Sequence, residues 1–114
     1  MQWQVLLHPA FVGELDDFPA DVQDELAALI RALQHLGQHM KRPRCDTLKG
    51  SRFANMKELR FDAADGVWRV AFAFDPDRQA VLLVGGDKSG VSSKRFYKTL
   101  IRKADDRYSD WLEE

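Results

Sequence analysis

Acidic and basic side chains alternate along two neighbouring strand candidates, and their types suit phosphate chemistry. Glu58 and Arg60 are two residues apart in the run 56–61, and Arg69 lies in the next run, 67–74. Side chains two residues apart on a strand point to the same face of a sheet. Guanidinium groups bind phosphate oxygens in two places, and a carboxylate can accept a proton. The pattern therefore indicates a sheet face that holds a phosphodiester, unless Glu58 serves only in cross-strand charge pairing.

The segment that follows the last strand candidate, GGDKSGVSSKRFY at 85–97, adds two more candidates. Its glycines let the backbone turn close to a ligand, and Lys88 then adds positive charge beside Arg60 and Arg69. Tyr97 begins the last helix at the same edge, where it could donate a proton or stack on a base. We expect the nearby cations to lower its pKa. The alternative is core packing, because Tyr97 also continues the apolar stripe of that helix.

Positive charge is concentrated in two stretches of a chain whose net charge is −1. Residues 1–40 hold six acids and one base, whereas residues 41–60 and 88–107 each hold seven bases and two acids, a net +5 for each stretch. This distribution favours one basic face that follows a phosphate backbone, although three separate solvated surfaces would have the same composition. The predicted RNA-binding residues are Lys49, Arg52, Lys57, Lys94, Arg95 and Lys98. Of these, Lys57 lies on the core side of its strand, so its amine must reach out to solvent.

The elements that position these residues follow from hydrophobic periodicity and turn residues. The segments predict a strand at 3–8, a short helix at 10–18, a helix at 19–37, a basic loop at 38–55, strands at 56–61, 67–74 and 80–86, and a helix at 92–112 capped by Ser92 or Ser93. The order β-α-α-β-β-β-α predicts an α+β fold, with all helices on one face of a small antiparallel sheet. Glu58, Arg60 and Arg69 then line the uncovered face.

Length and composition bound the class of protein. A chain of 114 residues fits one domain, 1–114, and no apolar run approaches the roughly 20 residues that span a bilayer. The first residues lack a basic leader, and the single cysteine, Cys45, excludes an internal disulfide and suits a reducing cytoplasm. Cys45 and three scattered histidines have no metal-ligand spacing, so we expect neither metal nor cofactor. We assign only structural roles to His8, Cys45 and Asp46.

Four segments, MKELRF, GVWRVAFAFD, AVLLVGGDKSG and KRFYKTLIRKAD, together resemble the RelE/HigB superfamily of bacterial and phage toxins, in particular its phage-derived HigB-like branch. The resemblance covers nearly the whole chain. It implies a compact sheet with helices on one side and a type II toxin held inactive by a cognate antitoxin, of the helix-turn-helix, HigA-like kind. It also implies metal-independent cleavage of messenger RNA on the ribosome, which inhibits translation, so that messenger RNA and the ribosome are expected partners.

By position, the resemblance points to Arg60, Arg69, Lys88 and Tyr97 as catalytic residues. We expect Arg69 to hold the scissile phosphate, with Arg60 and Lys88 adding positive charge. The chain departs from several relatives by having Met56 and Glu58 where they have further lysines, and it has no histidine in the site. The proton-transfer residue therefore stays open, with Glu58 the candidate base and Tyr97 or Lys88 the candidate acid. A ParE-like inhibitor of DNA gyrase and a non-catalytic nucleic-acid-binding or protein-binding module remain alternatives, because fold does not determine function.

Overall fold

A mixed β-sheet forms the centre of the protein in a computed structural model, which describes residues 2–114. Within these residues the strands are β1 Gln4–Leu7, β2 Cys45–Thr47, β3 Met56–Ala63, β4 Gly66–Phe74 and β5 Gln79–Asp87, in the order β1-β5-β4-β3-β2. β1 runs parallel to β5, and every other neighbouring pair is antiparallel. The α+β class is confirmed. The sheet is not wholly antiparallel, however, and β2 lies inside the predicted loop 38–55.

The helices are α1 Pro9–Asp16, α2 Ala20–Leu36 and α3 Ser93–Glu113, with a 3₁₀ turn at Gly37–His39. His8 begins α1, because its Nδ1 accepts a hydrogen bond from the Ala10 amide at 3.0 Å. Ser92 caps α3 in the same way, with its Oγ accepting from the Arg95 amide at 3.2 Å. No helix in the part of the chain that the structure describes is both long and apolar enough to cross a membrane.

The sheet has a hydrophobic core on each face. On one face α1 and α2 pack through residues such as Phe11 and Leu26 against Val70 and Phe72. On the other face α3 packs against the small side chains of β4 and the adjoining strands, in a cluster that includes Met56, Ala71, Ala73, Val81, Leu100, Ala104 and Tyr108. The prediction that all helices share one face is therefore wrong. An amphipathic stripe shows that α3 buries one side, but it does not show which face of the sheet receives it.

The β3–β4 hairpin places the candidate catalytic residues. Its two-residue turn, Ala64 and Asp65, has φ values of 50° and 60°, the left-handed conformation that matches the twist of paired strands. The resulting register sets Arg60 directly opposite Arg69. Glu58 lies two residues from Arg60 on the same face, as the alternation predicted.

Strand β5, between β1 and β4, contains a bulge, and α3 donates a hydrogen bond to the residue that the bulge leaves unpaired. The pairing of β4 with β5 shifts between Ala71 and Phe72, and this shift leaves Leu83 without a direct partner on β4. Arg107 of α3 donates from Nη1 to the Leu83 carbonyl at 2.8 Å. The same guanidinium forms a bidentate ion pair with Glu14 of α1, at 2.7 and 2.6 Å. Because α1 and α3 lie on opposite faces, this contact joins them around the sheet edge.

Candidate active site

The carboxylate of Glu58 is the centre of a buried hydrogen-bond network. Its Oε1 accepts from the Tyr97 hydroxyl at 2.8 Å, and its Oε2 accepts from Arg60 Nη1 at 3.1 Å. Arg69 Nε lies 3.7 Å from the same Oε1. The side chain of Glu58 is only 5% exposed, so its charge is balanced by these neighbours rather than by water.

Arg69 is held inside this network. Its Nε donates to the Tyr97 hydroxyl at 3.1 Å, and its Nη1 donates to the Trp68 carbonyl at 2.9 Å. Its side chain is 8% exposed beneath the first turns of α3. Since two of its nitrogens are already committed, Arg69 is better placed to orient Tyr97 and to supply positive charge than to move toward a ligand.

Arg60 is the accessible arginine of the pair. Its side chain is 23% exposed, and within residues 2–114 its guanidinium contacts one carboxylate, that of Glu58. A guanidinium has five N–H donors, so most of the donors of Arg60 remain for a ligand. Arg60 and Arg69 lie on the same side of the sheet, but only Arg69 is buried. The guanidinium of Arg60 therefore faces solvent.

Two adjoining pockets meet at Arg60, and we name them together the Arg60 cleft. The first, of about 360 Å³, lies between β2, β3 and α3 and is lined by Arg42, Asp46, Thr47, Leu48, Lys49, Glu58, Arg60 and Tyr97. The second, of about 340 Å³, is lined by Pro43, Arg44, Arg60, Phe61, Asp62 and Arg69. Five basic side chains and three carboxylates line this cleft, so its walls carry a net positive charge that favours a nucleic-acid backbone.

Tyr97 is a protonated phenol in this setting. Burial raises its pKa first, and the hydrogen bond to the Glu58 carboxylate raises the pKa further, against a lowering by Arg69. The expectation that nearby cations lower this pKa is wrong, because the hydroxyl faces a carboxylate as well as Arg69. Tyr97 thus acts as a hydrogen-bond donor to Glu58 and an acceptor from Arg69.

Two of the predicted residues lie away from the cleft. Lys88 donates to Ser93 Oγ at 3.3 Å and lines neither pocket. Lys57 alternates with Glu58 along β3, so it points to the opposite face, where its Nζ donates to Thr47 Oγ1 at 3.2 Å. The cleft itself brings together Glu58, Arg60, Arg69 and Tyr97.

The other predicted RNA-binding residues are exposed on two surfaces. Lys49 lines the first pocket of the cleft, and Arg52 lies over the Phe53 ring, 5.1 Å from its centroid, and 4.0 Å from Asp106. The first turns of α3 carry a second group, which we name the basic α3 surface; it comprises Ser92, Lys94, Arg95, Lys98, Thr99 and Arg102.

Sequence reasoning missed two features of the site. Arg44 adjoins Arg60 because the Arg60 amide donates to the Arg44 carbonyl at 2.8 Å, which extends the pairing beyond the short strand β2. Asp105, buried in α3, accepts from Ser51 Oγ at 2.5 Å and from the Arg52 amide at 3.1 Å. Asp105 thereby fixes the basic loop before β3. An acidic residue within a strongly basic helix was the available signal for this contact.

The five-stranded mixed sheet, flanked by helices on both faces and carrying a basic cleft on β3 and β4, defines a RelE-like α+β protein. The chain belongs to the phage-derived Gp49-like (DUF891) family, whose profile matches residues 13–109.

Similar proteins agree with this assignment. The candidate toxin HigB3 of Mycobacterium tuberculosis is 45% identical over 92 residues, which cover 81% of this chain and 78% of that protein. The candidate toxin HigB2 of the same organism is 35% identical over 99 residues, which cover 86% of this chain and 49% of that protein, so the chain spans about half of its length. A free-state mutant of Escherichia coli toxin RelE has the same fold, with a TM-score of 0.65 at 9% identity, over 90% of this chain and 97% of that one. The resemblance to the RelE/HigB superfamily is confirmed.

Proposed function

We propose that this chain is a single-domain toxin, residues 1–114, of a type II toxin–antitoxin system in the cytoplasm. We further propose that it cleaves messenger RNA on the ribosome without a metal ion. The observation that carries the proposal is the Arg60 cleft, where an accessible guanidinium lies beside the buried Glu58 carboxylate and its half-buried partner Tyr97. The names of the two mycobacterial relatives support the toxin part of the proposal.

Arg60 is the residue that we propose to hold the scissile phosphate. The transition state of phosphoryl transfer gathers negative charge on the phosphoryl oxygens, and a fixed guanidinium stabilises it. The sequence favours Arg69 for this role, but its burial and its bonds to Tyr97 and Trp68 favour an orienting role instead. Its charge still strengthens the field, because it lines the second pocket.

The proton transfers are assigned to groups that line the same cleft. The RNA 2′-oxygen attacks the adjacent phosphorus while the bond from phosphorus to the 5′-oxygen breaks, which leaves a 2′,3′-cyclic phosphate and a 5′-hydroxyl. The Tyr97 oxygen takes the 2′-proton, while the hydroxyl proton of Tyr97 passes to Glu58 Oε1, 2.8 Å away. Glu58 is therefore the final acceptor of the proton. This relay returns Tyr97 as a phenol, in keeping with its raised pKa. Lys49, on the same wall, is our candidate to protonate the leaving 5′-oxygen.

The remaining cations are proposed to hold the RNA backbone. Lys49 and Arg52 extend the cleft on one side, and the basic α3 surface, with Lys94, Arg95 and Lys98, extends it on the other. Such contacts add affinity without reading sequence. In this proposal Lys88 and Lys57 contribute only long-range charge, because neither lines the cleft.

The test is cleavage in a purified translation system supplied with one messenger RNA, followed by mapping of new 5′ ends. We expect Arg60→Ala to reduce cleavage about 10²–10³-fold, the usual cost of removing a transition-state donor. The matched control is Arg31→Ala, an exposed arginine on α2 away from the cleft. A metal chelator added after ribosome assembly, with magnesium restored only to the ribosome's requirement, should leave the product ends unchanged.

Three results would contradict the proposal. Equal cleavage by Arg60→Ala and Arg31→Ala would show that Arg60 takes no part in the reaction. Intact messenger RNA together with accumulating DNA damage in cells would favour the gyrase inhibitor, and salt-sensitive RNA binding without turnover would favour the non-catalytic module.

A further inference from the structure

A second concave surface lies on the other flank of α3, where no candidate catalytic residue is found. We name it the β5–α3 groove. It has a volume of about 320 Å³ and runs between Val84–Gly86 of β5 and the α3 face that carries Phe96 and Lys103. Gly86 allows this close approach, because a Cβ there would come within 3.2 Å of the Phe96 ring. The groove is therefore built into the fold by a small residue at the contact.

The floor of the groove is an unpaired strand edge. β1 pairs with β5 only from Gln79 to Leu82, and within residues 2–114 no strand pairs with the outer side of Val84–Gly86. The Lys88 amide donates inward to Val67 of β4. Because backbone groups alternate in direction along a strand, the N–H and C=O of Gly85 point to the outer side. Such an edge can accept another strand.

The walls of the groove combine apolar and cationic side chains. Val91, at its mouth, is a 44% exposed apolar residue, although valine gains by burial. Arg95 and Lys103 flank the groove, and neither forms an ion pair within residues 2–114. An occupant with apolar side chains between acidic ones would cover Val91 and pair with both cations.

We propose that the β5–α3 groove binds an extended acidic segment of the cognate antitoxin, which adds to β5 as a strand with Gly85 at the centre of the new pairing. This inference rests on the proposed toxin–antitoxin function, since that function supplies the partner. A peptide fits this surface better than RNA does, because the groove offers a backbone edge and apolar walls, whereas the basic α3 surface and the cleft offer mainly cations.

The groove also adjoins the candidate active site through α3. Phe96 faces the groove and Tyr97 faces Glu58, and their ring centroids are 5.4 Å apart. A strand bound at β5 holds the first turns of α3 from the side opposite to the cleft. The antitoxin can therefore bind at this groove without filling the Arg60 cleft.

The experiment uses the full chain and, as probe, the product of the reading frame next to its gene. The test variant is Val91→Asp/Lys103→Glu, which alters the groove and leaves the basic α3 surface intact. The matched control is Val12→Asp/Arg31→Glu, which makes the same change of a valine and the same charge reversal of a basic residue at exposed positions of α1 and α2. Thermal unfolding of each variant confirms that it is folded.

We expect the dissociation constant for the probe to rise at least about tenfold in the groove variant and to stay unchanged in the control. We also expect hydrogen exchange at the Gly85 amide of the unmodified chain to slow at least about tenfold when the probe binds. Equal affinity of both variants, unchanged exchange at residues 84–87, or a probe that does not bind would each overturn the proposal. A groove variant that loses affinity for RNA but keeps its affinity for the probe would also overturn the proposal.

The outcome is separable from that of the proposed function. Cleavage of messenger RNA is measured on the free chain, before any probe is added. If the probe binds at the groove but the chain does not cleave messenger RNA, the groove assignment stands and the proposed ribonuclease activity is wrong. If the chain cleaves messenger RNA but the probe binds elsewhere, the ribonuclease activity stands and the groove assignment is wrong.

Discussion

Two carboxylates meet arginines in this protein, and they do so in different ways. Glu14 gives both of its oxygens to Arg107, which also satisfies the Leu83 carbonyl at the β5 bulge. Glu58 divides its oxygens between Tyr97 and Arg60. The Glu14 pair is thus closed, and the Glu58 network is open at Arg60.

The difference separates a structural contact from a site that can bind a ligand. The side chain of Arg107 is 16% exposed, and two of its nitrogens bind partners that hold α1 and α3 to β5. Arg60 is a little more exposed and has one protein partner, so a phosphate can bind it without breaking the network. An arginine beside a carboxylate therefore indicates function only when its remaining donors face a cleft.

The largest contrast should come from neutralising each carboxylate. Glu58→Gln removes the proton acceptor of the proposed relay, so we expect cleavage to fall about 10²–10³-fold. Glu14→Gln should leave cleavage within about twofold. Single-turnover cleavage, measured at a temperature where both variants are folded, checks this. Equal losses in the two variants would make Glu58 a structural residue like Glu14.

The second contrast concerns stability. Arg107→Ala leaves Glu14 and the Leu83 carbonyl without their partner, and we expect it to lower the free energy of unfolding by about 2 kcal/mol. Cleavage by the folded variant should be unchanged. Urea unfolding gives the stability, with Arg31→Ala as the exposed control. A loss no larger than that of the control would show that this ion pair contributes little.

A smaller effect is expected at the hydroxyl that links the two halves of the Glu58 network. Tyr97→Phe keeps the ring and removes the bonds to Glu58 and Arg69, so we expect about 1 kcal/mol less stability. Cleavage should fall about tenfold, because Glu58 then accepts the proton without a relay. Phe96→Leu, on the groove side of α3, is the control for packing. Full activity of Tyr97→Phe would exclude the relay.

The smallest effect is the pH dependence of the closed pair. Arg107 holds the pKa of Glu14 below its ordinary value of 4.5, so the unfolded state binds the proton more readily. The pair therefore stabilises the fold above that pH, and the stabilisation is lost as pH falls through the lower, folded pKa. Stability measured from about pH 6 to about pH 3 should fall more steeply in the unmodified chain than in Arg107→Ala. Parallel curves would contradict this.

Strand alternation was enough to predict which side chains share the candidate site. The runs 56–61 and 67–74 have a clear period of two, and the structure places Glu58, Arg60 and Arg69 on one face as that period requires. The helix at 19–37 was predicted for a similar reason, since its apolar residues recur at helical spacing. Local periodicity carries this information without any tertiary contact.

The burial of Arg69 could not be predicted in the same way. It depends on α3 crossing the sheet so that Tyr97 meets Glu58, a contact between residues 39 positions apart. The stripe of α3 fits either face of a sheet. The three residues of β2 are too few to show a period, so the strand that places Arg44 beside the cleft could not be predicted either. These features are set by long-range packing rather than by local pattern.

The pairing of β1 with β5 has a consequence for how the protein is made. Gln4 lies beside Gln79, so β1 must wait for the synthesis of β5 before it can pair. Non-local pairing of this kind delays folding. Tyr97 emerges later still, with the final helix. A nascent chain therefore lacks both the complete sheet and the Glu58–Tyr97 contact until α3 has emerged from the ribosome.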